Sequence, residues 1–325
     1  MYLPVTAALV VAFGTSLCLT PIVRYLSCKT RRFGPSTPGG AFPVPPTGGI
    51  AIFLSSSTFA LFATSPIPVA LACGASAMAL AGLLDDVRPL RPAQKLALQA
   101  AAAGLAVGLG LTADLTGIAG VDGLITGLWL VWMANAFNVL DMMDGLAAGV
   151  GVVAGTAMVL LAAGSGSGSA PAAAIAGALA GFLIYNRHPA RIYVGDTGSM
   201  FAGFSLAGVG VLVSTELSAP QSVLCPILVL GVPTFEAVFL TVVRHNKGIP
   251  VTRASRDHVA QRLVQLGASV KGAVGRIHLA SILLAGVALL GALAPGWLCW
   301  TYLASCAAIA LALGIRLGRV TMDPS

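Results

Sequence analysis

Long apolar segments without charged residues are the feature that most limits how this chain can fold. Its 325 residues are 57% hydrophobic and only 9% charged, with a mean hydropathy of +0.92, whereas a soluble domain carries about 25% charged residues. About 20 apolar residues cross a bilayer as one helix, so the three longest segments each suffice for two crossings. The segments are Met1–Val23, Gly48–Leu84, Leu96–Ala113, Gly123–Leu140, Gly145–Asn186, Thr197–Thr215, Leu217–Val243 and Ile277–Ile315, and Glu236 is the one charged residue within them. We predict an all-α polytopic integral membrane protein with about 11 transmembrane helices.

The distribution of basic residues indicates how these crossings are oriented. When Met1 is placed outside and the loops alternate, all 18 Lys and Arg residues fall in inside loops. Asp114, Asp122 and Glu216 fall on the opposite face. Because cytoplasmic loops carry an excess of Lys and Arg, the pattern predicts an outside N-terminus and a cytoplasmic C-terminus. We expect a multi-pass protein of the plasma (inner) membrane.

The net charge of +7 does not indicate nucleic-acid binding in such a chain. Basic loops orient a membrane protein and attract anionic lipid, so membrane lipids are expected partners and nucleic acid is not. The six cysteines have no metal-ligand spacing, and those inside apolar segments are expected to pack as small hydrophobic residues.

Aspartates at the ends of apolar segments are candidate functional sites, because a charged group is expensive to keep there. The first pair is Asp85-Asp86. Two adjacent carboxylates repel each other unless a cation lies near them, and Lys95, a neighbouring Arg or Mg²⁺ would meet that need. Lys95 and Gln99 are one helical turn apart and share a face. The alternative is that this pair only caps a helix.

A second cluster repeats a polar residue at every third position: Asn135, Asn138, Asp141 and Asp144. On an α-helix or a tightened 3₁₀ turn, this spacing places all four side chains on one stripe. Four amide or carboxylate groups on one face of so apolar a chain predict a site for a metal ion and a phosphate-bearing substrate. Gly145 then ends the stripe and opens the next crossing.

A third cluster is the string Gly195-Asp196-Thr197-Gly198-Ser199 at the start of an apolar segment. Glycines allow close approach of a ligand to the backbone, and the positive N-terminal end of the following helix attracts anions. The carboxylate of Asp196 is the hard oxygen ligand that Mg²⁺ prefers. The alternative is that these residues only cap the helix.

Two other inside loops are less specific. The first ends at Pro45-Pro46-Thr47-Gly48-Gly49 and is predicted to be an irregular connector. The last contains Arg253, Arg256, Asp257, His258 and Arg262. Its basic composition predicts an exposed amphipathic segment that binds lipid head groups.

Taken together, these strings resemble the polyprenyl-phosphate N-acetylhexosamine-1-phosphate transferases, membrane enzymes that start the synthesis of cell-wall and surface-glycan lipid intermediates. The resemblance rests on Asp85-Asp86, on Asn-x-x-Asn-x-x-Asp-x-x-Asp-Gly from Asn135 to Gly145, and on Asn186 followed by Gly195-Asp196-x-Gly-Ser199. It covers most of the chain in order and spacing. The number of predicted crossings resembles the branch that uses UDP-N-acetylglucosamine.

The resemblance implies a role for each motif. The implied catalytic residues are Asp85, Asp86 and His258, the implied metal ligands are Asp196 and Asp141, and the implied substrate-binding residues are Asn138, Asp144, Asn186, Tyr193, Lys95 and Arg191. Asp85 and Asp86 would stand near the lipid phosphate, and Tyr193 would stack on the uracil base. Mg²⁺ is the implied cofactor, with Mn²⁺ as an alternative. A homodimer is a further expectation.

The chain departs from the family pattern at three places, the first of which is the first loop, without the acid and histidine that members often carry before Pro-x-x-Gly-Gly. Family members carry further histidines after the one that corresponds to His258, and this chain has Ala260 and Gln261 at those positions. Met142 stands where the Asp-Gly-x-Asp-Gly form of the motif has a glycine.

The expected reaction is phosphoryl transfer by residues 1–325 acting as a single transmembrane catalytic domain at the cytoplasmic face. A polyprenyl-phosphate oxygen would attack the β-phosphorus of a UDP-N-acetyl-sugar and release UMP. One alternative is the phospho-MurNAc-pentapeptide transferase of peptidoglycan synthesis. A CDP-alcohol phosphotransferase is disfavoured because no Arg follows Asp144-Gly145 within the next four residues. Transporter acids lie near the midplane of broken helices, whereas the acid clusters of this chain lie at one membrane interface in the predicted topology. An ion-coupled transporter is therefore disfavoured.

Overall fold

The computed structural model describes residues 2–30, 44–58, 66–162, 168–250 and 256–322, and every regular element within these ranges is a helix. The prediction of an all-helical fold is therefore confirmed for the described residues. In chain order the helices are α1 (Tyr2–Thr30), α2 (Gly48–Ser56), α3 (Pro66–Val87), α4 (Pro92–Gly108), α5 (Ala119–Leu140), α6 (Leu146–Leu161), α7 (Ser169–Asn186), α8 (Gly195–Ser214), α9 (Gln221–Val229), α10 (Gly231–Asn246), α11 (Val259–Gln265), α12 (Val270–Leu293) and α13 (Gly296–Gly318).

Among the described residues, seven helices are long and apolar enough to cross a bilayer: α1, α3, α5, α7, α8, α12 and α13. Helices α9 and α10 together pass the same test but bend by 70° at their junction, so they make an eighth span if they are counted as one. The chain is thus rich in membrane-spanning helices, as predicted. The count of about 11 and the side on which each terminus lies stay predictions. The two crossings expected in Gly145–Asn186 are separated by a segment whose residues 163–167 lie outside the described ranges.

Helix α8 is the centre of the bundle and is buried along nearly its whole length. Small residues recur along it, among them Gly203, Gly208 and Ala207, and small residues let neighbouring helix backbones approach closely. A β-carbon at Gly203 would lie 2.2 Å from the backbone oxygen of Met133 in α5. Helices α3 and α5 pack along α8, and α2 packs on it too. This packing brings the end of α3, the beginning of α4 and the end of α5 to the beginning of α8.

Candidate active site

Lys95 joins the acidic motifs from separate parts of the sequence. Its Nζ lies 2.8 Å from Oδ2 of Asp85, 3.1 Å from Oδ2 of Asp196 and 3.4 Å from Oδ1 of Asn138. These four side chains, called here the Lys95 cluster, belong to α3, α4, α5 and α8. Although burial lowers it, the negative charges of Asp196 and Asp85 raise the pKa of Lys95 above its usual value. Lys95, one of the basic residues proposed to neutralise Asp85, therefore does pair with it.

The first turns of α4 hold Lys95 where it reaches Asp85, Asn138 and Asp196. Pro92 occupies the first turn, and the Gln94 side chain accepts a hydrogen bond from the Arg91 backbone N–H at 3.1 Å. One turn after Lys95, Gln99 exchanges two amide hydrogen bonds with Asn135 of α5, at 2.8 and 3.2 Å. The shared face predicted for Lys95 and Gln99 is confirmed, because both side chains contact α5.

Asp86 binds the first turn of α8. Its Oδ1 accepts a hydrogen bond from the backbone N–H of Asp196 at 2.8 Å, and its Oδ2 accepts from the backbone N–H and the Oγ1 of Thr197 at 2.9 and 2.5 Å. A carboxylate at a helix N-terminus satisfies free N–H groups and complements the helix dipole. The anion attracted by this helix end is thus a side chain of the same protein, and it positions Asp196.

Asp196 itself does not cap α8. The residue at the N-cap position is Val194, which makes no side-chain cap. Instead the Asp196 carboxylate accepts hydrogen bonds from Asn138 Nδ2 and Lys95 Nζ. Gly195 has a φ of 72° and its β-carbon position is 2.1 Å from the backbone oxygen of Pro46, so any other residue there would be strained. The capping alternative for Asp196 is therefore wrong.

The predicted stripe of four polar residues is interrupted. Helix α5 ends at Leu140, and Asp141 is its C-cap, so only Asn135 and Asn138 lie on the helix. Asp141 accepts a hydrogen bond from the Gly195 backbone, and burial together with the charges of Asp196 and Asp86 raises its pKa to about 8. Asp144 lies beyond the helix, and its Oδ2 is 2.7 Å from Nδ1 of His188 and 3.0 Å from the Ala190 nitrogen. The prediction that all four side chains share one stripe is wrong, because α5 ends before Asp141 and Asp144.

A cavity of about 670 Å³ opens beside Asp144. It lies between the end of α7 and the beginning of α12. Most of its ionisable lining residues are basic: besides Asp144 they are Arg187, His188, Arg191, Lys271 and His278. Arg191 is exposed, and its backbone oxygen accepts a hydrogen bond from Arg24 Nε at 2.8 Å. A basic cavity next to the acidic cluster suits an anionic ligand that reaches from one to the other.

Asn186 and Tyr193 hold the backbone around this cavity. The buried Asn186 side chain accepts from the Gly145 N–H at 3.0 Å and donates to the Ile192 oxygen at 2.9 Å, so both ends of its amide bind the protein. Tyr193 is half-buried, and burial together with the charge of Asp144 raises the pKa of its phenol. Its backbone N–H donates to Pro45 at 2.9 Å, and its carbonyl accepts from Gly48 at 2.9 Å. The Pro45–Gly49 segment is therefore bonded to the site. Residues 44–47 have no regular secondary structure, as predicted for a connector, and residues 31–43 of the same loop lie outside the described residues.

His258 lies in a second buried polar cluster. Its Nδ1 is 3.0 Å from Oε1 of Glu236 in α10, and the Val259 N–H donates to the same oxygen at 3.2 Å. The adjacent Asp257 pairs with Arg262 at 2.8 Å and with Lys247 at 2.6 Å. None of these described contacts joins His258 to the Lys95 cluster. The structure therefore places ten of the eleven predicted site residues around the beginning of α8 and the cavity, and it places the eleventh, His258, against Glu236 of α10.

The predicted exposed basic segment is only partly observed: Arg256 is exposed, Asp257, His258 and Arg262 are buried, and Arg253 lies outside the described residues. Arg262 has no exposed surface. Its Nη1 donates to the backbone oxygens of Leu317 and Val320 at 2.8 and 2.7 Å, and its guanidinium lies 5.4 Å from the centre of the Phe239 ring. The carbonyls of Leu317 in the last turn of α13 and of Val320 just beyond it hold this side chain inside the protein, because a buried guanidinium needs such acceptors.

We expect Arg262→Ala to lower the free energy of unfolding by about 3–5 kcal/mol, because removing one partner leaves Asp257 and two helix-end carbonyls without it. The midpoint of thermal unfolding in detergent measures this loss. Arg256→Ala is the matched control, since Arg256 is exposed in the same segment. Equal midpoints for the two variants would contradict the buried contacts of Arg262.

Two positions outside the predicted site contribute to it. A β-carbon at Gly49 would lie 2.1 Å from the Gly198 nitrogen, so α2 touches the first turn of α8. Glu236 anchors His258. Two sequence signals could have revealed these positions: the Gly-Gly pair after two prolines, and a lone acid within an apolar segment.

A profile of the family described as Glycosyl transferase family 4 matches residues 68–214, a range that contains the whole Lys95 cluster. A Bacillus subtilis protein named "Probable undecaprenyl-phosphate N-acetylglucosaminyl 1-phosphate transferase" is 30% identical over 291 residues, which is 85% of this chain and 81% of the relative.

Two further relatives extend the similarity to both expected branches. The "Decaprenyl-phosphate N-acetylglucosaminephosphotransferase" of Mycobacterium tuberculosis is 30% identical over 281 residues, covering 73% of this chain and 69% of the relative. The "Phospho-N-acetylmuramoyl-pentapeptide-transferase" of Moorella thermoacetica is 35% identical over 215 residues, covering 58% of this chain and 68% of the relative. With motifs, helices and relatives in agreement, the chain is a multi-pass membrane protein that belongs to glycosyl transferase family 4.

Proposed function

We propose that this protein transfers N-acetylglucosamine-1-phosphate from UDP-N-acetylglucosamine to a polyprenyl phosphate, undecaprenyl or decaprenyl, and releases UMP. The observation that carries the proposal is the Lys95 cluster, in which four helices bring one cation and two carboxylates together. The names of the Bacillus and Mycobacterium relatives support the acceptor lipid and the sugar. The product would be the first lipid intermediate of a cell-wall or surface glycan.

The chemistry asks the protein chiefly for positioning and charge neutralisation. An oxygen of the polyprenyl phosphate forms a bond to the β-phosphorus of the UDP-sugar, and the bond from that phosphorus to the oxygen bridging it to the α-phosphate breaks, so that UMP leaves. One phosphoanhydride replaces another, and preorganised charges lower the barrier to such transfers. Lys95 would neutralise charge where the two anions meet. Asp85, buried and bonded to both Lys95 and the Leu90 N–H at 2.7 Å, would hold Lys95 in place.

The donor set beside Lys95 fits a magnesium ion. Within the described residues, no three His, Cys, Asp or Glu side chains form a ready-made metal site. Mg²⁺, however, is usually held by one or two carboxylates and completes its shell with water and substrate phosphates. The negative charges of Asp196 and Asp86 raise the pKa of Asp141, and repulsion of this kind between carboxylates favours a cation near them. Asp196 and Asp141 would hold Mg²⁺, which would neutralise phosphate charge when bound, with Mn²⁺ as an alternative.

We expect chelation of divalent ions to remove the activity and Mg²⁺ to restore it. The measurement is UMP release by detergent-solubilised protein before and after EDTA, with Mg²⁺, Mn²⁺ or Ca²⁺ added back. Ca²⁺ serves as a control because it prefers more and longer oxygen contacts than Mg²⁺. Full activity in excess EDTA would contradict the proposed ion.

The basic cavity is the proposed place of the nucleotide. Asp144 and Tyr193 would contact the uridine, and Arg187, Arg191 and Lys271 would face its phosphates. Asn186 would act indirectly, since its amide binds the backbone on both sides of the cavity wall. Asp144 lines the cavity, and Asp141 in the same turn accepts a hydrogen bond from the backbone of Gly195 next to Asp196. One UDP-sugar lying along this turn would touch both the cavity and the Lys95 cluster.

The finer topology belongs to the same proposal. Helices α2, α4 and α6 would be short crossings alongside the longer ones, for about 11 in total, with the N-terminus outside and the C-terminus in the cytoplasm. The whole chain would form one catalytic domain of the plasma membrane, and a homodimer is a further proposal. Cysteine labelling from each side of sealed vesicles tests the orientation.

A nucleotide-sugar panel tests the reaction and the second candidate. Phospho-N-acetylmuramoyl-pentapeptide transfer is that candidate, because a relative of this name is 35% identical over 215 residues. Purified protein is given radiolabelled UDP-N-acetylglucosamine or UDP-N-acetylmuramoyl-pentapeptide, with and without polyprenyl phosphate. We expect label in the lipid fraction from the first sugar only. UMP release without polyprenyl phosphate would contradict lipid transfer.

A further inference from the structure

His278 is a polar side chain within the apolar helix α12 to which the proposed reaction assigns no role. No charged residue follows it in α12, which ends at Leu293. The side chain is half-buried and lines the basic cavity. A polar group at such a place is costly unless it is hydrogen-bonded, so its contacts indicate what it does.

One face of α12 forms a wall of that cavity. The α12 residues that line it are Lys271, Val274, Gly275 and His278. Steps of three and four residues place them on one side of the helix. His278 lies two turns beyond Lys271, about 10 Å further along the helix axis. The cavity therefore extends along α12 from its first turn, where Lys271 would face the phosphates, to His278.

The imidazole of His278 rests on the beginning of α6. Its Nε2 lies 3.4 Å from the backbone oxygen of Leu146, and the Gly145 backbone oxygen is a second acceptor beside the ring. A carbonyl oxygen can only accept a hydrogen bond, so Nε2 carries the proton. A β-carbon at Gly149 would lie 2.2 Å from Nε2 and 2.3 Å from Cε1. The ring thus occupies space that only a glycine at position 149 leaves.

The turn that His278 contacts is the one that presents Asp144 to the cavity. Two other side chains hold this turn. The Asn186 amide accepts from the Gly145 N–H at 3.0 Å, and His188 Nδ1 lies 2.7 Å from Asp144 Oδ2. Asn186 and His188 approach from the end of α7 and the loop after it, whereas His278 approaches from α12. His278 therefore ties the turn to the cavity wall that α12 forms.

We propose that His278 is a positioning residue for the nucleotide: by donating from Nε2 to the carbonyls of the Gly145–Leu146 turn, it sets the direction of the Asp144 carboxylate in the cavity. The inference rests on the proposed function, because that function places the nucleotide beside Asp144. It deepens that function by assigning part of the nucleotide affinity to α12, which lies outside the residues 68–214 that the family profile matches. The described contacts of the Lys95 cluster do not include His278, so nucleotide binding should respond to this residue and the transfer step should not.

Two amide replacements separate hydrogen bonding from packing. His278→Gln carries an amide N–H at the reach of Nε2 and should keep the KM for UDP-N-acetylglucosamine of the wild type. His278→Asn is too short to reach Leu146 and should raise this KM by about 3- to 10-fold, the effect of one net hydrogen bond, with kcat unchanged. His245→Asn is the matched control, because His245 is an exposed histidine of α10.

Gly149→Ala perturbs the same contact without altering the imidazole. Its methyl would displace the ring from the turn, so KM should rise as in His278→Asn. In the His278→Asn background the methyl no longer meets an imidazole and should have little further effect. This variant also remains a test if His278→Asn does not fold, which thermal unfolding in detergent reveals.

A second cycle tests the route through Asp144. His278→Asn should leave KM unchanged in an Asp144→Asn background, because His278 acts through that carboxylate. Titration of UMP into the purified variants measures nucleotide affinity without turnover, and the affinity should weaken in parallel with the rise in KM. Equal KM values for His278→Gln and His278→Asn, or a fall in kcat with KM unchanged, would overturn the inference.

The two proposals fail separately. A wild type that does not transfer the sugar phosphate refutes the proposed function. An active wild type whose KM and UMP affinity do not respond to His278→Asn refutes only the role of His278.

Discussion

Replacing Asp196 with Asn is expected to lower the transferase activity by about 10²- to 10³-fold, the loss typical of removing one preorganised electrostatic group from an active site. Asp196 is the point at which α8 meets Lys95 of α4 and Asn138 of α5. The amide keeps the shape of the side chain but removes the negative charge that Lys95 and a magnesium ion would share. Transfer of radiolabelled sugar phosphate to polyprenyl phosphate measures the effect.

The matched control is Asp114→Asn. Asp114 is exposed and precedes α5, at the opposite end of that helix from Asn138. The Asp114→Asn variant should therefore be as active as the wild type. Thermal unfolding of both variants separates loss of chemistry from loss of fold. Wild-type activity in Asp196→Asn would defeat the assignment of the Lys95 cluster as the reaction centre.

Gly49→Ala is expected to lower the activity by about 10²-fold without touching any charged group. The added methyl would lie 2.1 Å from the Gly198 nitrogen and 2.7 Å from Thr197 Cβ, so α2 must move away from the first turn of α8. That turn carries Asp196, and a displacement of about 1 Å at a reacting geometry costs about this factor. Activity and thermal unfolding are both measured, and both are expected to fall.

The control for this steric argument is Gly104→Ala in α4. A β-carbon at Gly104 meets nothing within 4 Å, and alanine is the better helix former by about 1 kcal/mol. We therefore expect Gly104→Ala to unfold at the same or a higher temperature and to keep its activity. If Gly49→Ala behaves in the same way, α2 does not hold α8 in place as the structure indicates.

Local patterns were enough for the features that depend on one helix at a time. Apolar segments of about 20 residues predict helices because a bilayer requires that length, and the described residues are helical throughout their regular elements. Lys95 and Gln99 were predicted to share a face from spacing alone, and both contact α5. The motif strings also pointed to the family that the relatives support, because the expected reaction requires particular residue types in a fixed order along the chain.

Contacts between distant segments could not be read in this way. Spacing indicates which side chains share a face but not what packs against that face, so the sequence left open that Asp86 holds the N-terminus of α8. It extended the α5 stripe to Asp144, although the turn after Leu140 directs that side chain to His188. It also placed Arg262 at a lipid surface, whereas the carbonyls at the end of α13, 55 residues further along the chain, draw it inside.

The amino-acid sequence by itself determined that this protein is a helical membrane protein with acids gathered beside its basic loops, because hydropathy and helical period act within a few turns of chain. Only the tertiary structure decided the partner of each acid: Lys95 for Asp85 and Asp196, the α8 backbone for Asp86, and His258 for Glu236. A buried charge takes whichever partner helix packing brings within hydrogen-bond distance, and that depends on residues far apart in sequence.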